Sequence, residues 1–249
     1  MNTKYKGILK FSNPNVLDVK VGRDRFTLEE ISSGKNYQFL KGYLQAMEVV
    51  VPTYEGSSKK PMISFLVNVA WGNEYLPEII RILNYYNIKL TFFLEGRWVS
   101  KFPQEAANIR NEGHEIGNHA YSHPDMRSLS DDQIQLELRK TNEIIKNVLN
   151  IRPLFFTPPY GYVNQTVIDA AAHEGMLTVL WSLDTLDWKI TDYNEVLNRI
   201  IPKLKNGSII LMHPTESSVK ALPHILERAI NDSYKVVTVS ELIAQKVTS

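Results

Sequence analysis

The stretch PMISFLVNVAWGNEYLPEIIRILNYYNIKLTFFLEG, Pro61 to Gly96, carries the pattern that decides the fold. MISFLVNV is an apolar run of strand length, rich in β-branched and aromatic residues. EYLPEIIRILNYY then sets Leu76, Ile79, Ile80 and Leu83 along one helical face. IKLTFFLEG returns to strand character. Strand, helix and strand in direct succession make a βαβ unit, whose two strands run parallel.

The alternation continues to the end of the chain. A long helix is predicted at DDQIQLELRKTNEIIKNVL, a strand-like run at MLTVLWSL, a helix around NEVLNRIIPKL, a strand at SIILMH and a last helix near SELIAQKV. Repeated βα pairs predict an α/β domain with a parallel sheet, open or closed into a barrel. Residues 1–55 differ: FTLEEISSGKNYQFL and YLQAMEVVVPTY mix short β-branched or aromatic runs with polar turns and read as a β-rich N-terminal extension. YEGSSKKP, Tyr54 to Pro61, has the composition of a linker, so the main domain is expected over 61–249.

Composition narrows the function classes. The 249 residues are 43% hydrophobic and 22% charged, enough apolar material for a large core. Lys plus Arg number 28 against 27 for Asp plus Glu, and this balance gives no basic surplus for nucleic acid. The absence of cysteine excludes disulfides and thiolate chemistry, so a metal here must be held by His, Asp, Glu or Asn. The opening residues NTKYKGILKFSNPN lack the apolar core of a signal peptide, and no apolar run approaches the ~20 residues that span a bilayer.

In parallel α/β folds the chemistry gathers where strands end at their carboxyl edge. Asn68 closes SFLV; His119 and His123 follow HEIGN; Thr157 and Tyr160 follow PLFF; Asp184, Asp187 and Trp188 follow TVLWSL; His213 follows SIILM. With HAYSH, TPPYG, DTLDW and LMH in this order, and with LTFFLEG and GHEIGNH beside them, the chain resembles the polysaccharide deacetylase (NodB-homology) family, carbohydrate esterase family four, over residues 61 to 245. The resemblance implies a distorted (β/α) barrel that removes acetyl groups from sugar polymers with the help of a divalent metal.

What the family supplies, this chain supplies only in part. The resemblance implies His119 and His123 as metal ligands, His213 as the acid that protonates the leaving amine, Asp187 as its partner, and Tyr160, Trp188 and Leu211 as the groove for the acetyl methyl. It also implies a general base and a metal-ligating aspartate in succession at the end of the first strand, where this chain has Asn68 and Val69 when aligned without gaps to LTFF, or Ala70 and Trp71 when the register is shifted to match Gly72; neither alignment restores an acid. An amide is a poor base, and valine offers a metal no donor atom. The arginine expected before PPYG is Thr157, a loss that matches the loss of the carboxylate it would steady. Glu74 is the nearest acid downstream, at a helix start where acids also favour the dipole.

Read singly, Asp184 and Asp187 are turn carboxylates, Trp71 and Trp98 are packing residues ahead of sugar platforms, although aromatic faces at a barrel mouth suit carbohydrate, and His114, His173 and His224 carry no assigned role. The combined expectation is a deacetylase-like hydrolase acting on the N-acetyl amide of a peptidoglycan or chitin-like glycan with reduced or altered activity. The alternative is a catalytically silent glycan-binding module. The cofactor is a divalent metal, zinc by ligand type and weakly held, or none. The setting implied by the resemblance is extracellular or the cell envelope.

Overall fold

The first βαβ unit forms as its periodicity predicts. The computed structural model describes residues 7–13, 16–21 and 50–244. Two strands, β1 (Gly7–Asn13) and β2 (Val16–Val21), pair antiparallel as a separate hairpin. The stretch FTLEEISSGKNYQFL lies outside the described residues. β3 (Met62–Val69) is followed by a short 3₁₀ turn and by α1 (Leu76–Tyr85), which carries Pro77 in its first turn, where the missing N–H costs nothing, and buries Leu76, Ile79, Ile82 and Leu83. β4 (Thr91–Leu94) lies parallel to β3 in the register Leu66 to Thr91 through Val69 to Leu94.

Next come α2 (Gly96–Lys101), α3 (Pro103–Asn111), β5 (Glu115–Asn118) and the long α4 (Asp131–Leu149). A capping box starts α4: Ser130 Oγ accepts the Gln133 N–H while Gln133 Oε1 accepts the Ser130 N–H. Its buried residues Ile134, Leu138, Thr141 and Ile145 form a single stripe. Then follow β6 (Phe155–Phe156), α5 (Gln165–His173), β7 (Leu177–Thr178), β8 (Leu183–Asp184), α6 (Tyr193–Ile200), β9 (Ile209–Met212), α7 (Glu216–Asn231), β10 (Lys235–Val237) and α8 (Val239–Ala244).

The sheet runs β7-β6-β5-β4-β3-β9-β8, with β10 alongside the start of β3. All described pairings within it are parallel. This is the curled half-barrel of the distorted (β/α) class. Side chains alternate along β3: Ile63, Phe65, Val67 and Val69 pack with α1 and α7 in the larger apolar cluster, whereas Leu66 joins a second cluster with Phe93, Ile209 and Leu211.

MLTVLWSL departs from its reading as one strand. It contributes two-residue strands at opposite edges of the sheet, so Val179 to Ser182 cross the opening between β7 and β8. The incoming chain partly fills that opening: Thr53 N–H donates to Thr178 O (2.9 Å), and Leu180 N–H donates to Thr53 O (2.7 Å). Gly56 N–H donates to Gly207 O (2.8 Å), so the linker-like stretch is bonded to the sheet at its N-terminal end. Among the described residues no helix is long and apolar enough to cross a membrane.

Candidate functional site

The loop after β5 brings the two histidines together by bending sharply. Ala120 and His123 adopt positive φ of 61° and 57°, conformations that non-glycine residues hold only when their surroundings impose them. Two side chains impose it. Asn118 Oδ1 accepts the Ala120 N–H (2.8 Å), while its Nδ2 donates to Leu138 O (3.0 Å) and Asn142 Oδ1 (2.8 Å). Glu137, on α4, accepts the N–H groups of Tyr121 (2.9 Å) and Ser122 (2.7 Å) and the Ser122 hydroxyl (2.8 Å). The rings of His119 and His123 meet edge to face with centroids 5.0 Å apart.

His119 Nδ1 lies 2.8 Å from Thr157 O. A carbonyl only accepts, so the proton sits on Nδ1 and the lone pair on Nε2, the tautomer that a metal-binding imidazole uses. Burial, then the neighbouring His123 and, more weakly, His213, push the His119 pKa down to about 3, against the raising effect of the Thr157 bond. Burial likewise lowers His123, opposed by a backbone hydrogen bond and helped by His213. Thr157 itself is buried, and its hydroxyl donates to Val179 O (2.6 Å), so it contributes a carbonyl and a sheet tie rather than a charge.

Strand alternation separates Asn68 from Val69. Asn68 is buried on the barrel-interior side, and its Oδ1 has no hydrogen-bond partner. Val69 packs with Phe65 and Val67 on the helix side. The position expected to face a metal is thus a core position in this chain. Glu74 is exposed in the 3₁₀ turn before α1. Among the described residues no group of three His, Cys, Asp or Glu is placed to hold a metal ion. A catalytic zinc typically takes three protein ligands with one open position, so the two imidazoles do not fit a resident catalytic metal.

The opposite side of the mouth is built more completely. Asp187 Oδ1 lies 2.8 Å from His213 Nδ1, its Oδ2 accepts the His213 backbone N–H (2.6 Å), and Oδ2 also accepts the Ser218 hydroxyl. The Asp187 side chain is fully buried, whereas that of His213 remains 16% exposed. Asp184 behaves as a turn carboxylate, its Oδ1 accepting the Leu186 N–H (2.8 Å). Leu211 is buried beneath the site, and Tyr160 and Trp188 stand 59% and 57% exposed. Tyr160, at φ 60°, presents its ring to His123 with centroids 4.6 Å apart.

Trp71 and Trp98, read together as packing residues, part company. Trp98 is buried and donates its Nε1–H to Asn73 Oδ1 (2.8 Å). Trp71 is 46% exposed and lies parallel to the His213 ring, with centroids 5.9 Å apart and planes within 6°. Ser218, Glu137 and Asn118 were missed by the sequence reading. Ser218 lies in the first turn of α7, where Thr215 N-caps the helix and accepts the Ser218 N–H (3.1 Å).

The family model for polysaccharide deacetylase matches residues 55–179. The chain belongs to the polysaccharide deacetylase family. It is 44% identical over 192 residues to YlxY of Bacillus subtilis strain 168, covering 77% of this chain and 60% of YlxY, so it spans less than two thirds of that relative. It is 35% identical over 194 residues to a peptidoglycan-N-acetylglucosamine deacetylase of Bacillus cereus, covering 76% of this chain and 70% of that protein. Among solved structures, a CE4 family pseudoenzyme from Bacillus anthracis superposes with a TM-score of 0.77 at 37% identity, over 92% of this chain and 75% of that one. A mutant of that pseudoenzyme described as having restored enzymatic activity superposes equally well, with a TM-score of 0.77. Polysaccharide deacetylases generally use a divalent metal. Among the described residues this member brings the His119 and His123 rings together without a third His, Cys, Asp or Glu grouped with them.

Proposed function

We propose that this polysaccharide deacetylase domain binds an N-acetylated cell-wall glycan, peptidoglycan or a chitin-like chain, in a site whose hydrolytic chemistry is disabled on its base and metal side. One observation carries the reading: Asn68 offers an amide where a base is needed, and Val69 turns into the core where a ligand is needed. A positioned general base contributes about 10²–10⁴-fold to such a reaction, and an amide cannot take its place near neutral pH. The glycan-facing parts persist, with Tyr160 and Trp188 exposed over the buried Leu211. The kinship with a peptidoglycan deacetylase and with a pseudoenzyme of the same fold supports both halves of the proposal.

A second reading, residual hydrolysis, is favoured by the Asp187–His213 pair, which retains the geometry of a proton donor to a leaving amine. In either case zinc would be held weakly by His119 and His123 with water completing its shell, and the working location is the cell envelope. Residues 61–249 form the glycan-binding unit, and residues 1–55 an accessory extension. The deciding experiment measures acetate release and glycan affinity together, on peptidoglycan fragments and chito-oligosaccharides, with and without zinc. Binding without acetate supports the first reading, metal-stimulated acetate the second, and neither binding nor acetate refutes both.

A further inference from the structure

We infer that the cavity at the amino edge of the sheet is a second ligand site, for a small carboxylate with an apolar body. It lies at the opposite end of the strands from the glycan mouth. His114 stands immediately before β5 and His119 immediately after it, and a strand of four residues, about 13 Å long, runs between them. The cavity measures about 520 Å³, within the range of about 300–1,000 Å³ that small-molecule sites occupy. Its walls come from the chain entering β4, β5 and β6, from β10 and from the first turn of α8.

The charges around it are unequally matched. Two carboxylates in the lining are turned to the protein's own donors. Glu115 Oε2 accepts the Thr91 hydroxyl (2.6 Å) and the Ser240 N–H (3.2 Å), and Glu241 Oε2 accepts the N–H (3.0 Å) and the hydroxyl (3.1 Å) of Thr238. Burial raises the Glu115 pKa against the bonds from Thr91 and Ser240. Glu112, whose charge acts on His114, accepts from Asn84 Nδ2 (2.8 Å). The cations have no such partners. Lys89 Nζ donates to the neutral Asn84 Oδ1 (2.9 Å), and the Lys89 side chain passes beside Gly113. The Arg110 guanidinium, in the last turn of α3, has no hydrogen-bond or ion-pair partner among the described residues. Arg152 also lines the cavity and is engaged within the protein.

His114 points the same way. It lines the cavity at 2% exposure, and its Nδ1 accepts the Leu90 N–H (3.2 Å). The proton of the neutral ring is therefore on Nε2, and this buried donor meets no acceptor among the described residues. The lining thus presents two cations without a carboxylate and a donor without an acceptor, while Ile151, Leu154 and Val236 supply an apolar floor. A monoanion with a short hydrocarbon or aromatic body matches both halves. Inorganic phosphate has no body to cover the floor, and its second charge would face Glu115 and Glu241.

The test titrates the full chain with hexanoate and benzoate, with hexanol and benzyl alcohol as their neutral counterparts, and with inorganic phosphate, following backbone amides by two-dimensional NMR. The expected result is saturable carboxylate binding, at least about tenfold tighter than the alcohols or phosphate, with shifts centred on Lys89, Gly113, His114, Ile151 and Val236. Lys89→Ala and Arg110→Ala should each weaken it about fivefold or more and Lys89→Arg should retain it, with circular dichroism verifying folding and chito-oligosaccharide binding unchanged. Alcohols that bind as well as the carboxylates would refute the anion site, and phosphate that binds as tightly would refute the apolar half. No saturation by either carboxylate up to about 20 mM, shifts confined to the mouth around His119 and His213, or carboxylate binding untouched by both alanine variants overturns the inference. Each of these outcomes leaves the glycan reading to its own experiment.

Discussion

Asp187 grips His213 at two points, its Oδ1 against the ring Nδ1 and its Oδ2 under the backbone N–H of the same residue. This double contact fixes both the orientation of the ring and its height above β9. A carboxylate at Nδ1 holds the ring proton there and turns Nε2 toward the mouth. In a silent glycan-binding domain, His213→Ala should leave oligosaccharide affinity within about twofold, whereas Trp188→Ala should weaken it about tenfold, or ~1.4 kcal/mol. If the parent releases acetate, His213→Ala should instead lower turnover by about 10²–10⁴-fold. Parent turnover that is indifferent to His213→Ala would remove the proton-donor role.

Restoring the missing carboxylates should not be symmetrical. Asn68 faces the barrel interior with an unpartnered Oδ1, so Asn68→Asp places an acid at the expected base position with little repacking. Val69 is fully buried on the helix side, so Val69→Asp should lower the unfolding free energy by about 3 kcal/mol or more unless the strand end rotates to release the charge. Asn68→Asp alone should yield little acetate release, because base and metal act as a unit. The double variant should bind zinc more tightly than the parent and gain acetate release only if the strand end rotates the new carboxylate at position 69 out of the core toward His119 and His123. Thermal melts, zinc calorimetry and an acetate assay test the series, and a well-folded, zinc-binding double variant without any gain would mean that the groove no longer presents the amide to the site.

The sequence made the βαβ order and the ordered mouth residues legible because period and spacing are local properties. It could not show which way Asn68 and Val69 face, since alternation fixes their opposition but not which one turns inward. MLTVLWSL looked like one strand because both of its two-residue strands and the crossing between them are largely buried, and burial reads the same in either arrangement. Trp71 was read as packing because its exposure depends on the turn at Gly72 and on Pro214, far along the chain. Ser218 meets Asp187 across 31 positions, a distance at which no pattern in the sequence connects them.

Acid should weaken the fold through His114. Its Nδ1 accepts the Leu90 N–H (3.2 Å), and burial, with Lys89 adding to it and Glu112 opposing, lowers its pKa to about 4. An unfolded histidine titrates near 6.5, so between about 6.5 and 4 the unfolded state binds the extra proton. The stability associated with neutral His114 is present above pH 6.5 and is lost as pH falls toward 4, at up to about 1.4 kcal/mol per pH unit. His114→Gln should be less stable than the parent at pH 7, yet lose about 2 kcal/mol less between pH 7 and 5. Denaturant titrations at the two pH values measure this difference, and a His114 ring resonance titrating near 6.5 in the folded protein would contradict it.

Two glycines with nearly the same backbone should respond differently to alanine. Gly72 and Gly113 have φ of 82° and 81°, so an alanine meets the same left-handed penalty, about 1 kcal/mol, at either position. Their surroundings differ. At Gly113 the new Cβ would meet only the flexible Lys89 side chain, its Cε 3.6 Å and its Cδ 3.8 Å away. At Gly72 it would stand 2.1 Å from the Pro214 carbonyl oxygen and 2.9 Å from Pro214 Cγ, so either the Trp71 turn or the segment after His213 must move. Gly113→Ala should therefore cost about 1 kcal/mol, while Gly72→Ala should cost about 3 kcal/mol and part Trp71 from His213. Melting curves and tryptophan fluorescence on the two variants separate backbone conformation from contact: equal losses of stability would show that the turn yields without disturbing Pro214, and an unchanged tryptophan emission in Gly72→Ala would show that the Trp71–His213 stack does not depend on it.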